Sequence, residues 1–180
     1  AIQLLWLNLL TDGAPALALG LEKGDPDIME QHPRPTTEPI INRLMLIRIG
    51  VMTVALTGVV LTAFSIGLSK NDRVLAQTLA FVTLALSELP IAYTTRSERY
   101  PLFKLGVLSN KWMQRAVGLS VVLTLAVIYV PFLNDPFNTV PLTLEHWAIV
   151  LPLAIIPSIV AEVSKYFVRR SELASQHSGA

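Results

Sequence analysis

The 180-residue sequence contains no cysteine. Disulfides, thiolate nucleophiles and cysteine-based metal sites are therefore excluded. Charge is scarce as well: Asp, Glu, Lys and Arg make up only 15% of the residues, against about 25% in an ordinary soluble domain. The formal net charge of +1 is too small to argue for a nucleic-acid partner. Low-complexity tracts and short-period repeats are missing too.

What is present is apolar. Hydrophobic residues account for 52% of the chain, and the mean hydropathy is +0.54. These residues gather into five blocks, at approximately 2–21, 44–68, 74–93, 112–132 and 146–168. Each block is close to the roughly 20 residues that a helix needs to cross a ~30 Å hydrocarbon core. The blocks predict an all-α membrane protein, a bundle of about five transmembrane helices in one domain spanning residues 1–180. Pro26, Pro33, Pro35 and Pro39 with their acidic neighbours mark residues 22–42 as a polar loop. Residues 169–180 form a small polar tail. The opening inside an apolar segment, without a Met, suggests a piece of a longer polypeptide.

The basic residues give the orientation. Placing loop 22–42 in the cytoplasm leaves only Lys70 and Arg73 on the opposite side, as the excess of Lys and Arg in cytoplasmic loops requires. The first helix then enters from outside and the C-terminus is cytoplasmic. Trp112 and Trp147 lie near block ends, where aromatic anchors belong. Arg48 is expected to snorkel to the interface, and Glu162 to form a local pair with Lys165 three residues on.

The chemistry sits in the first block. Ionisable residues inside a bilayer are costly and mark functional sites by default. Asn8, Thr11 and Asp12 are spaced i, i+3, i+4, so a regular helix would present all three oxygen-bearing side chains on one face. Pro15 has no N–H and deprives the Thr11 carbonyl of its helical donor, while Gly13 adds backbone freedom. A break or unwinding near Gly13 and Pro15 is expected, with free carbonyls lining a cavity. Glu88 is the second intramembrane carboxyl, with Pro90 two residues later. Carboxylates, amide, hydroxyl and carbonyls together suit a hard cation. The plainer alternatives are interhelical hydrogen bonding by Asn8 and Thr11 and a neutral, buried Glu88. Calcium takes 6–8 oxygens. Asn8, Thr11, Asp12 and Glu88, with one or two carbonyls, would half-fill such a site.

The run Leu5-Trp6-Leu7-Asn8-Leu9-Leu10-Thr11-Asp12-Gly13-Ala14-Pro15-Ala16-Leu17-Ala18-Leu19-Gly20, followed by Asp27-Ile28-Met29 and Pro33-Arg34-Pro35, resembles the sixth membrane helix and following loop of type II P-type cation ATPases. The likeness is closest to the sarcoplasmic-reticulum-like and bacterial calcium pumps. Arg96-Ser97-Glu98-Arg99, Leu102-Phe103-Lys104, Ser109-Asn110-Lys111, Tyr129-Val130-Pro131, Val140-Pro141-Leu142 and Glu162-Val163-Ser164-Lys165 resemble the later loop and last two helices of the bacterial members. The resemblance implies helices six to ten of a ten-helix membrane domain, with Ca2+ as the transported ion. It assigns Asn8, Thr11, Asp12 and Glu88 as metal ligands. It gives loop 22–42, with Asp25 and Asp27, the task of coupling the ion site to a phosphorylation domain. Sodium–potassium pumps typically carry Asp in place of Asn8, and secretory-pathway and plasma-membrane calcium pumps Met in place of Thr11, which favours the sarcoplasmic-reticulum-like branch.

The family's Asp-Lys-Thr-Gly phosphorylation motif does not occur in these residues. No catalytic residue is therefore expected here, and Mg2+ and ATP would belong to a full-length parent. The implied partners are the lipid bilayer and the pump's remaining helices and cytoplasmic domains. The implied location is multi-pass in a bacterial plasma membrane. Two other classes of function are compatible with the same residues: a stand-alone oligomeric passive cation channel or carrier, and a structural pump remnant without transport.

Overall fold

The computed structural model describes residues 1–22, 29, 43–97, 100 and 102–178. Asp25, Asp27 and nearly all of the 22–42 loop lie outside the described residues. Those that are described contain helices and turns and no strand. Five helices are long and apolar enough to cross a membrane: Ile2–Gly20, Met45–Ser69, Arg73–Thr94, Lys111–Tyr129 and Leu144–Lys165. The protein is thus an all-α bundle of five membrane-length helices, as the blocks predict.

The first span is composite. It starts as α1 (Ile2–Trp6), widens into a π-helical segment (Leu7–Asp12) and continues as α2 (Gly13–Gly20). Next come α3 (Arg43–Ser69) and α4 (Arg73–Thr94), joined by a turn in which Asn71 takes a positive φ of 60°. Asp72 caps α4 by accepting a hydrogen bond from the Leu75 N–H at 2.9 Å. The short α5 (Leu102–Leu105) lies in the connection to α6 (Lys111–Tyr129), where Asn110 is the cap, accepting from the N–H groups of Trp112 and Met113.

The fourth span ends at Tyr129 rather than at residue 132. A residue before proline is pushed out of the helical region, and Val130, before Pro131, is extended (φ −87°, ψ 114°). Pro131 then opens a separate helix, α7 (Pro131–Phe137), because its fixed φ and missing N–H suit a first helical position. The last helix, α8, runs Leu144–Ser178. It carries Pro152 and Pro157, and its helical backbone continues through residues 169–178, which the sequence reading sets apart as a tail.

Helix α4 is the most buried of the five spans and packs against α3, α8, α6 and the first span. Leu79, Val82 and Ala85 of α4, Val127 and Ile128 of α6 and Val150 of α8 form the main core. Apolar burial alone does little to hold helices together in lipid, where tails are as apolar as the side chains. Small residues and polar ties do more. Gly67 of α3 lies directly against the backbone of Ala76 in α4, leaving no room for a Cβ.

The first span is tied at three depths. Gln3 donates to the Phe137 carbonyl at 2.7 Å, Ser120 to the Leu10 carbonyl at 3.1 Å and Asn110 to the Ala18 carbonyl at 3.0 Å. Just past α2, Glu22 pairs with Arg96 beyond the end of α4 at 2.7 Å. Hydrogen bonds from the Arg96 guanidinium hold the Glu22 carboxyl below its usual value of 4.5 against the opposing effect of burial.

Two predictions follow from the packing and the pairing. Gly67→Ala is expected to destabilise the folded protein by roughly 1–3 kcal/mol through overpacking, whereas Gly58→Ala, which meets open space, leaves the unfolding midpoint in detergent unchanged or raised. Because the folded-state pKa of Glu22 is depressed, its carboxylate contributes stability above about pH 4.5 that is lost as pH falls below that value. Glu22→Gln should therefore lower the thermal midpoint at neutral pH. The difference from the unsubstituted protein should shrink as pH falls below that value, and a pH-independent gap would contradict this origin.

Candidate cation site

The π segment results from a local deficit. Pro15 supplies no N–H, so the α-helical bond to the Thr11 carbonyl four residues earlier cannot form. The sequence predicts an unwound gap. Instead the helix stays continuous and widens over Leu7–Asp12 to the π pattern, in which each N–H bonds five residues back. Gly13 sits at this point with its Cα hydrogen towards the Asn8 carbonyl; a Cβ there would lie 3.6 Å from that oxygen. Such π-bulges recur at functional sites.

Widening the turn changes which side chains share a face. The i, i+3, i+4 spacing puts Asn8, Thr11 and Asp12 together only at the α-helical pitch. In the structure Thr11 is turned inward and is 2% exposed, while Asn8 and Asp12 stay exposed on the outer face of the span. The three predicted residues are therefore split, and the expectation of one common face is corrected by the π pitch.

Thr11 turns inward to meet Glu88. Its hydroxyl hydrogen-bonds to Glu88 Oε2 and also lies 2.8 Å from the Leu7 carbonyl. A hydroxyl has one proton and cannot donate to both. With a carboxylate at Glu88, the Thr11 proton goes to that carboxylate. With a carboxylic acid, Glu88 donates to Thr11 and frees the Thr11 proton for Leu7. The pair can thus exchange a proton without leaving a polar atom unsatisfied. Asp12 is the next residue along the π segment from Thr11 and is exposed. Pro90 does not interrupt α4, which runs through it to Thr94.

Of the four predicted residues, the structure brings Thr11 and Glu88 into direct contact, while Asn8 and Asp12 lie on the same π segment as Thr11 but on its exposed side. Among the described residues no group of three or more Asp, Glu or His converges to hold a metal. Glu162 is not part of this site. It pairs with Lys165 at 2.8 Å in the middle of α8.

The sequence reading misses Ser120, which holds the π segment through the Leu10 carbonyl, because a serine in an apolar block carries no positional signal. It also misses Glu22, Arg96 and Asn110, which it treats as loop residues. Asn110 before Lys111-Trp112-Met113 does read as an N-cap, and that signal would have placed the start of α6.

Comparison with known proteins gives the family. The family described as "Cation transporting ATPase, C-terminus" matches residues 1–167. "Calcium-transporting ATPase 1" of Bacillus cereus is 33% identical over 91% of this chain and 20% of its own length. "Calcium-transporting ATPase" of Bacillus subtilis is 35% identical over 88% of this chain and 18% of its own length. "Calcium-transporting ATPase type 2C member 1" of Pongo abelii is 31% identical over 98% of this chain and 19% of its own length. The chain spans about a fifth of the length of these relatives. It belongs to the family of cation-transporting ATPase C-terminal domains.

Proposed function

We propose that this chain is the membrane-embedded cation-binding part of an ATP-driven calcium pump. It supplies half of an intramembrane ion site through Asn8, Thr11, Asp12 and Glu88, and the remaining ligands come from other helices of the same pump. The observation that carries this reading is the contact between Thr11 of the π segment and Glu88 of α4, with Asp12 the next residue after Thr11. An intramembrane carboxyl on each of two packed helices is costly unless a cation or proton compensates it. Oxygen ligands of mixed charge suit calcium, which accepts flexible geometry. The names of the matched relatives support the same ion.

Further parts of the proposal follow. Residues 22–42 couple the ion site to a phosphorylation domain that takes ATP and Mg2+. Asn8 and Asp12 face outward, towards the position where additional helices would complete the coordination. The exchangeable proton of the Thr11–Glu88 pair compensates the site when the cation leaves. The chain lies multi-pass in a bacterial plasma membrane, with its C-terminus in the cytoplasm.

The test uses the intact natural polypeptide. Its mass, by immunoblot with an antibody to residues 171–180, is expected to be several times the 19.7 kDa of these residues; a band near that mass removes the pump reading. In the intact protein, Asp12→Asn should abolish calcium-activated phosphorylation from ATP, and normal calcium activation would overturn the assignment. Thr11→Ala, which removes the hydroxyl orienting Glu88, should raise the calcium concentration for half-maximal phosphorylation roughly tenfold or more.

A further inference from the structure

One end of the bundle holds a polar cluster that the cation site does not use. The Glu22 carboxylate accepts three hydrogen bonds: from Arg96 Nε at 2.8 Å, from Arg96 Nη2 at 2.7 Å and from Asn110 Nδ2 at 2.7 Å. Arg96 also donates to the Gly106 carbonyl at 2.9 Å and to Ser109 Oγ at 2.6 Å. Asn110 reaches the Ala18 carbonyl with Nδ2 and caps α6 with Oδ1. The Arg96 side chain is 1% exposed and that of Glu22 16%. A surface ion pair would contribute little. A buried, bidentate one with its other donors satisfied imposes a geometry.

That geometry bears on the cation site. Glu22 lies just beyond the helix that carries Thr11, and Arg96 just beyond the helix that carries Glu88. Thr11 pairs with Glu88, and Glu22 pairs with Arg96, in the same order along both segments. The two helices therefore run parallel and share two fixed points about 12–16 Å apart at 1.5 Å per residue. Between them the helices meet through Ala18 and Ala92, with Met113 of α6 alongside. Small residues allow close approach in a membrane, but alanine surfaces interdigitate little and leave axial sliding weakly opposed. Directional bonds at one end supply what the apolar contact lacks.

We propose that the Glu22–Arg96–Asn110 cluster is a register lock for the cation site, holding the first span and α4 at the axial offset that brings Thr11 to Glu88. The three are positioning residues that touch no ion. Their role rests on the reading of Thr11 and Glu88 as site residues. Loss of the lock slides the helices, opens the Thr11–Glu88 contact and weakens cation binding without removing any ligand.

The test compares three variants of the intact protein. Arg96→Lys keeps the charge but loses the guanidinium fork. Glu22→Gln keeps the shape and loses the charge. Glu162→Gln, which breaks an ion pair on α8 that shares no hydrogen bond with Glu22, Arg96, Asn110, Thr11 or Glu88, controls for general destabilisation. The first readout needs no calcium: the rate at which dicyclohexylcarbodiimide labels Glu88, followed by peptide mass spectrometry on protein that elutes as the unsubstituted form does. Arg96→Lys and Glu22→Gln should each raise that rate roughly fivefold to tenfold, as expected for displacing one hydrogen-bond partner, while Glu162→Gln leaves it unchanged. The second readout is the calcium concentration for half-maximal phosphorylation, which should rise by a similar factor in the first two variants, with the maximal level of phosphorylation preserved. If Arg96→Lys does not fold, Glu22→Gln decides. Unchanged Glu88 labelling in a folded lock variant, or an equal rise in Glu162→Gln, overturns the lock. If calcium fails to slow Glu88 labelling in the unsubstituted protein, the calcium reading falls by itself, and the lock is still judged on the metal-free rates.

Discussion

A bilayer offers no water to a peptide group that lacks a partner, so every backbone N–H and C=O in the spans must be satisfied within the protein. Proline cannot meet that demand. Where Pro15 withholds an N–H, the first span shifts to five-residue hydrogen bonding over Leu7–Asp12 instead of unwinding. The rest of the site follows from that adjustment. The wider turn rotates Thr11 into the bundle, where Glu88 meets it. It leaves Asn8 and Asp12 on the outer face. Ser120 of α6 then holds the segment through the Leu10 carbonyl.

Helix α4 is the other half of the arrangement. It touches every other span, and its burial makes it a rigid reference against which the first span is placed. A carboxyl on such a helix must find a partner, because an unpaired polar group away from water is expensive. Glu88 finds one in Thr11. Polar ties recur along the whole first span, at Gln3, Leu10, Ala18 and Glu22. This is what is expected where lipid removes the hydrophobic drive for helices to associate.

The five spans were legible in the sequence because each apolar block matches the membrane thickness, a constraint that needs no tertiary information. Their ends were less so. The fourth span stops at Tyr129 and a separate α7 follows, since Pro131 acts on its predecessor and then starts a helix of its own. The identity of the chemistry-bearing residues was also legible: carboxyls in apolar blocks stand out by their cost. Glu22 and Arg96 did not stand out, because charged residues flanking a span are ordinary, and a separation of 74 residues leaves no local signal of a pairing.

By itself, then, the sequence determined the number of membrane helices, the family pattern around Asn8 to Pro15, and the candidates Asn8, Thr11, Asp12 and Glu88. Composition and block length decide these matters, and they are local. Only the tertiary structure decided which of the candidates meet. The pitch of the first span depends on where the orphaned Thr11 carbonyl and its neighbours find donors. The contact between Thr11 and Glu88 depends on the offset between two helices that are distant in the chain. Both are set by hydrogen bonds between segments, and no periodicity within one segment encodes them.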